Sequence, residues 1–437
     1  MKQIIRGAAW LASANGLSTI LNFVQGIVIT RALGTNQYGI LVLVMTYAKT
    51  IRQLIDARNF EAAVKFIPQF QENGENIKAI AVLKLLYILD AGIAIISALI
   101  IFKTAQLAAT LFVNNALAAD LIKLYGVICV IDFADEVSGA VMRLNNQYKR
   151  LFYIEVTLTL FQTIGLLVTW LLGTNIVIVL LVFLASTICG TVLTQIMAFR
   201  TMRQMNLTKW HSASIWLLKG QFREIFRFVF FSYLTANSRL VTSKADILIL
   251  GWFTNPAAVA FYELGKRVVE PITRLLASFS EIAYPKMSNY IARGQFQEVK
   301  HLQKRLTVLL LGLTIPICLI GSFAFTWIIP LVFGEEYLAT IPLAQIFIWT
   351  LIWMPLSWSP GFLLALGKSH IVTMITALDA LIFVILLIGF TSILGALGTA
   401  IAGILRMVIW MIITGRYVLQ FYRTYSQQPN TPLKAIV

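Results

Sequence analysis

Six ionisable side chains, Glu263, Lys266, Arg267, Glu270, Arg274 and Glu281, recur through the otherwise apolar stretch Thr254 to Met287. At the helical advance per residue they fall within an arc of roughly 100°, and Val268, Val269, Ile272, Leu275, Leu276 and Phe279 take the remainder. A second stretch repeats the device, with Lys49, Arg52, Asp56 and Asn59 inside roughly 80° of one face. Shorter polar stripes stand at Asn15, Ser18, Asn22 and Gln25, and at Arg239, Ser243 and Asp246. The cations among these, with Arg406, suit anion binding. In a low-dielectric cavity, guanidinium and ammonium groups match phosphate oxygens through charge-assisted hydrogen bonds. The carboxylates Asp90, Asp132, Asp135, Glu136 and Asp379 suit uptake of a proton or cation. A plainer reading makes Glu263–Arg267, Glu270–Arg274 and Arg52–Asp56 internal ion pairs that glue helices together. It also groups Asp132, Asp135 and Glu136 into a structural cluster with Arg143 or Glu155, and puts Arg58, Glu61 and Lys65 at an interface.

Such stripes must be carried by elements that tolerate them. The chain is 59% hydrophobic and only 12% charged, with a mean hydropathy of +0.81. Soluble domains run near 45–50% apolar and about 25% charged, so the chain reads as an integral membrane protein. A charge facing hydrocarbon costs roughly 2.5–3.5 kcal/mol on insertion scales, which turns the stripes toward a wet interior. Apolar runs and their breakers predict twelve spans, at 5–30, 39–64, 79–102, 118–142, 151–172, 175–199, 225–252, 257–283, 305–330, 341–366, 370–392 and 395–420. The first run is too long, and too rich in Asn15, Asn22 and Gln25, for a signal peptide. The net charge of +16 sits in short connections, where it acts as a topology signal and not as a nucleic-acid footprint.

The Lys and Arg residues near positions 2–6, 78, 143–150, 200–223, 286–305, 368 and 416–434 gather on one side, which places both termini in the cytoplasm. Elements around Thr35-Asn36 and Thr254-Asn255 repeat at an offset of about 220 residues, the six-plus-six plan of transporters built from parallel repeats. The expected organisation is a bundle at 1–200, a basic amphipathic linker at 201–224 carrying Trp210 and Trp216, and a second bundle at 225–437. Cys129, Cys189 and Cys318 lie in apolar runs and His211, His301 and His370 in connections, in no zinc or disulfide spacing. No phosphate-cradling Gly-rich loop or metalloprotease motif is present. With no cofactor expected, work would draw on an H⁺ or Na⁺ gradient or on the gradient of the cargo itself.

The turn Arg31-Ala-Leu-Gly34 with Tyr38-Gly39, the helix closing at Phe66-Ile67-Pro68, and the run Leu394-Gly395-Ala396-Leu397-Gly398-Thr399-Ala400-Ile401-Ala402-Gly403 resemble the Wzx-type polysaccharide-transport flippases of the multidrug/oligosaccharidyl-lipid/polysaccharide (MOP) exporter superfamily. The resemblance implies an all-α fold of two six-helix bundles around a cationic cavity, lined by the first, second, seventh and eighth helices. It implies a lipid-linked oligosaccharide as cargo, with membrane lipids and polysaccharide polymerase or chain-length proteins as partners, in a bacterial or archaeal cytoplasmic membrane. Lys49, Arg52, Arg239, Lys266, Arg267, Arg274 and Arg406 match the head-group role. Around Asn175 to Leu181 the chain departs from the pattern, since the Gly/Ala-rich opening is missing. Two other expectations stand beside this one: a cation-coupled antiporter of drugs or organic cations with the same fold, and a polysaccharide polymerase or ligase, for which the external connections are short.

Overall fold

In the computed structural model, residues 2–56, 58–115, 118–209 and 213–427 are described, with side chains left aside at 2–9, 11, 12, 14, 15, 231, 232, 234–243, 281, 282, 369 and 424–427. Among the described residues every regular element is helical. In chain order they are α1 (Lys2–Ile55), α2 (Asn59–Glu72), α3 (Asn76–Ala108), α4 (Ala118–Ile131), α5 (Asp135–Leu144), α6 (Tyr148–Leu172), α7 (Ile176–Gln204), α8 (Phe222–Phe253), α9 (Pro256–Ala292), α10 (Phe296–Phe333), α11 (Thr340–Trp349), α12 (Ser359–Ala365) and α13 (Ser369–Gln427). Among these residues seven helical stretches are long and apolar enough to cross a membrane by length and composition, and two of them, Gly16–Glu72 and His370–Arg423, run for 57 and 54 residues. One crossing takes about 20 residues, so each of these is long enough for more than one.

Each is broken at a glycine. α1 breaks at Gly34 (φ 70°, ψ 176°) and α13 at Gly395 (φ 55°, ψ −131°), conformations that an L side chain resists and glycine does not. Three residues past the second break, Gly398 lies against the backbone carbonyl of Phe390 on the preceding limb, and the hydroxyls of Thr391 and Thr399 join the two limbs at 3.0 Å. Both glycine runs noticed in the sequence are therefore hinge points of broken helices. Two starts are capped by side chains: Asn255 accepts from the amide of Ala258 at 2.9 Å with Pro256 next in line, and Asn175 accepts from Ile178 at 3.0 Å.

The chain divides into two compact units, residues 1–240 and 241–437. In the first, α2, α3, α5 and the end of α7 enclose a core of Phe66, Ile67, Leu83, Leu86, Val137 and Val141. Leu207, Ala213 and Leu218 of the basic connection are buried in the same core, while Trp216 remains 76% exposed. In the second unit, α9, α10, α12 and the last limb of α13 meet around Met287, Phe296, Phe362 and Phe421; the Phe362 and Phe421 rings meet edge to face, and Phe296 lies tilted against Phe421.

Three of the predicted spans are not continuous. The run 39–64 stops at Ile55 and restarts at Asn59. There the Asp56 side chain accepts from the backbone amide of Arg58 at 3.2 Å, an Asx turn that competes with the helix, and Arg58 is left-handed (φ 56°, ψ 47°). The run 118–142 passes through a 3₁₀ turn at Asp132–Ala134. The run 341–366 is two short helices around a 3₁₀ segment, Thr350–Leu356, that contains Pro355.

Candidate functional site

The break after α1 gathers the polar side chains of the first unit. Arg52, in the last turn of α1, points Nε at Asp132 Oδ1, 3.9 Å away. The predicted Arg52–Asp56 pair is replaced by this contact because the helix ends before Asp56 could sit one turn below. Asn59, fully buried, donates its Nδ2 to Asp90 Oδ1 at 2.6 Å, so Asp90 is not the solitary carboxylate its sequence surroundings suggest. Thr191 of α7 donates to Asp135 at 3.4 Å, and Tyr87 and Ser138 share a hydrogen bond of 2.7 Å. Arg143 is not part of the acidic group; its guanidinium lies 4.8 Å from the ring centre of Phe60. Lys49 is exposed, 6.0 Å from the ring centre of Tyr125.

Asp56, Asp90, Asp132, Asp135 and Glu136 act on one another and on Lys49, Arg52 and Arg58. Several atoms in the group, Asp90 Oδ2, Asn59 Oδ1, Asp135 Oδ1, Glu136 Oε2 and Arg52 Nη1, are buried and form no hydrogen bond among the described residues.

The second unit carries two tighter arrangements. Lys266 Nζ lies 2.6 Å from Asp246 Oδ2, with the carboxylate side chain 5% exposed and the lysine 34%. The same oxygen accepts from Tyr262 at 2.9 Å, and Asp246 Oδ1 accepts from the amide of Ile247 at 2.9 Å. Tyr262 was not singled out by the sequence; its place one helical turn before Lys266 was the available signal. Arg406 Nη1 donates to Asp379 Oδ2 at 3.2 Å and its guanidinium lies 4.6 Å from the ring centre of Phe383. These two residues, isolated in the sequence, are therefore partners. Arg274 and Glu270 form the predicted pair at 2.6 Å, half exposed.

Glu263 is half-buried beside Tyr262 and Lys266, and Arg267 is half-buried. Asn22 is exposed, whereas Gln25 is buried and donates to Thr163 at 3.0 Å. The side chains of Asn15, Arg239, Ser243 and Glu281 lie outside the described residues, as do Trp210 and His211. At the start of α2 Arg58 pairs with Glu61 at 3.9 Å, and within it Lys65 reaches Glu224 of α8 at 3.2 Å. Lys65 also sits 4.4 and 4.5 Å from the ring centres of Phe66 and Phe228.

Comparison with known proteins places this architecture. The family model described as "Polysaccharide biosynthesis protein" matches residues 4–291, and the MatE model matches residues 229–388. A search of curated protein sequences finds no match. Among solved structures, the lipid II flippase MurJ in an inward closed conformation aligns with a TM-score of 0.70 at 16% identity, covering 97% of this chain and 88% of that one. An inward-facing multidrug resistance MATE family transporter of the MOP superfamily also gives 0.70, at 12% identity over 93% and 96% of the two chains. The eukaryotic MATE transporter AtDTX14 gives 0.61 at 13% identity over 99% and 98%. These likenesses establish a fold, and the proteins that share it are flippases and transporters, not enzymes. The chain is a multi-pass membrane protein that belongs to the Polysaccharide biosynthesis protein family and has the fold of the MOP superfamily.

Proposed function

We propose that the chain is a flippase that moves a polyprenyl-pyrophosphate-linked oligosaccharide across the bacterial or archaeal cytoplasmic membrane by alternating access, for cell-surface polysaccharide biosynthesis. The observation that carries this reading is the family match over residues 4–291, which takes in both Lys49–Arg52 and Lys266–Arg274. Arg267 and Arg274, on one face of α9, offer guanidinium groups to phosphate oxygens. Twelve crossings with cytoplasmic termini belong to the same reading, with bundles at 1–200 and 225–437 and a connection at 201–224. Basic residues gather on one side, and the two longest apolar stretches are each divided at a glycine. Polysaccharide polymerase or chain-length proteins are the partners this role calls for.

The test is complementation. In cells deprived of the flippase for a matching glycan, the wild-type chain is expected to restore polysaccharide at the surface, and Arg267→Gln with Arg274→Gln to reduce it at least tenfold. Lys266 is left in place because it neutralises Asp246. Losing the half-exposed Arg274–Glu270 pair costs less than about 1 kcal/mol, so the protein level in the membrane should hold. Export unchanged by the double substitution would overturn the reading.

The acidic group around Asp90 supports coupling to H⁺ or Na⁺, with Asp90 as the group that takes the charge. Asp90→Asn keeps an acceptor for Asn59 and removes the ionisable oxygen. In proteoliposomes with a fluorescent lipid-linked disaccharide, this variant is expected to transport without responding to the imposed gradient that drives the wild type. A response equal to wild type would remove Asp90 from the coupling.

A second reading is favoured by the MatE match at residues 229–388: a cation-coupled antiporter of drugs or organic cations. Raised resistance to cationic dyes on overexpression, without rescue of polysaccharide export, would favour it over the flippase.

A further inference from the structure

The second unit contains a cavity of about 260 Å³ that the charged stripes do not explain, lined by the 3₁₀ segment Thr350–Leu356 and both limbs of α13. Its walls include Trp353, Trp410 and Met407, and its polar groups include Asp379 and Arg406. Three properties narrow what it could hold. The first is size. Drug-sized ligands occupy pockets of roughly 300–1,000 Å³, so this one suits a single ring and not a chain.

The second property is charge. Arg406 and Asp379 neutralise each other at 3.2 Å, so an anion entering the cavity meets the carboxylate and a cation meets the guanidinium. A neutral molecule meets no such penalty. The third is hydrogen-bonding capacity. Arg406 Nη1 is committed to Asp379 Oδ2, and the two side chains remain 27% and 12% exposed, so the pair offers both a guanidinium donor and a carboxylate acceptor to an occupant. A purely apolar occupant would cover these groups without replacing the hydrogen bonds they make to water. A hydroxyl both donates and accepts; one can accept from the guanidinium while its neighbour donates to Asp379. A compact neutral ring with adjacent hydroxyls also presents a C–H face to indole, whose electron-rich surface attracts the positive edge of polarised C–H bonds.

We propose that this cavity is a subsite for one neutral pyranose ring of the transported glycan, held between the Trp353 and Trp410 side chains and oriented by the Arg406–Asp379 pair. It deepens the flippase reading and rests on it: the sugar, and not the pyrophosphate, is recognised here, so selection among glycans is exerted in the second unit. Methionine walls adapt to different substituents, which lets one pocket accept related hexoses while still requiring hydroxyls at the ion pair.

The test uses full-length protein in nanodiscs and saturation-transfer NMR with the methyl glycosides of glucose, galactose, mannose and N-acetylglucosamine. At least one glycoside is expected to bind, and inorganic pyrophosphate is expected not to displace it. Met407→Trp, which fills the cavity, and Arg406→Gln, which removes the guanidinium from its wall, should each weaken binding at least tenfold. Trp410→Ala, which enlarges the cavity instead of crowding it, should do the same and guards against a filled variant that fails to fold. No glycoside binding by the wild type, undiminished binding in folded variants, or displacement by pyrophosphate would each overturn the subsite. Failure here is distinguishable from failure of the flippase reading: wild-type rescue of polysaccharide export without glycoside binding removes the subsite alone, whereas absent export removes the reading beneath it.

Discussion

Lys266→Met is expected to lower the unfolding free energy by about 3 kcal/mol or somewhat more, because it strands the Asp246 carboxylate, 5% exposed, in the interior of the second unit. Breaking a buried ion pair from one side costs roughly 3–5 kcal/mol, while removing both charges together is often neutral. Partial exposure of Lys266 at 34% puts the single substitution near the bottom of that range. The double variant Asp246→Asn with Lys266→Met should recover most of the loss, since Tyr262 can still donate to the amide oxygen that replaces the carboxylate. Thermal unfolding in detergent, read by intrinsic fluorescence for both variants, checks the pair. A single variant as stable as wild type would mean that another cation takes over the carboxylate. A double variant no better than the single would mean that shape, and not charge, is what the pair supplies.

Gly398→Ala is expected to be the most damaging glycine substitution in α13. A Cβ there falls on the carbonyl oxygen of Phe390, with the Leu394 side chain 3.0 Å away on another side. Backbone cannot rotate away as a side-chain tip can, so the limbs on either side of Gly395 must separate. Overpacking of this kind costs roughly 1–3 kcal/mol and occasionally more, and here the hydroxyl contact between Thr391 and Thr399 goes with it. Gly403→Ala is the control: nothing lies within 4 Å of its would-be Cβ, and alanine improves a helix interior by about 0.5–1 kcal/mol. The fraction of protein eluting as a monodisperse peak, with its midpoint of thermal unfolding, should fall for the first variant and hold or rise for the second.

Lys266 and Gly398 also differ in how plainly the amino-acid sequence displays their roles. The helical, membrane-spanning character of the chain follows from hydropathy, and the stripe on α9 that holds Lys266 is legible because helical periodicity is a local property. The glycine runs are visible as motifs, although their physical role, a helix broken at one residue, is not. The break at Asp56–Arg58 escapes because Lys49, Arg52, Asp56 and Asn59 keep helical spacing straight through it. A side chain capping its own backbone leaves no mark on such a pattern. Partners farther apart escape for a different reason. Asp90 with Asn59 and Asp379 with Arg406 depend on which helices pack together, so each residue looks solitary in its own span.

The single-residue breaks at Gly34 and Gly395 also decide how this chain's orientation can be measured. A helix that changes course at one glycine has no slack, and a reporter inserted there would pry apart the limbs it was meant to locate. Insertions are tolerated at exposed turn tips. Gly74, Asn146, Asn206 and Gly294 are such tips, exposed and left-handed, at the ends of α2, α5, α7 and α9. Each stands beside one of the basic groups, so accessibility labelling at these four positions tests the sidedness of the whole protein while leaving its helix junctions undisturbed.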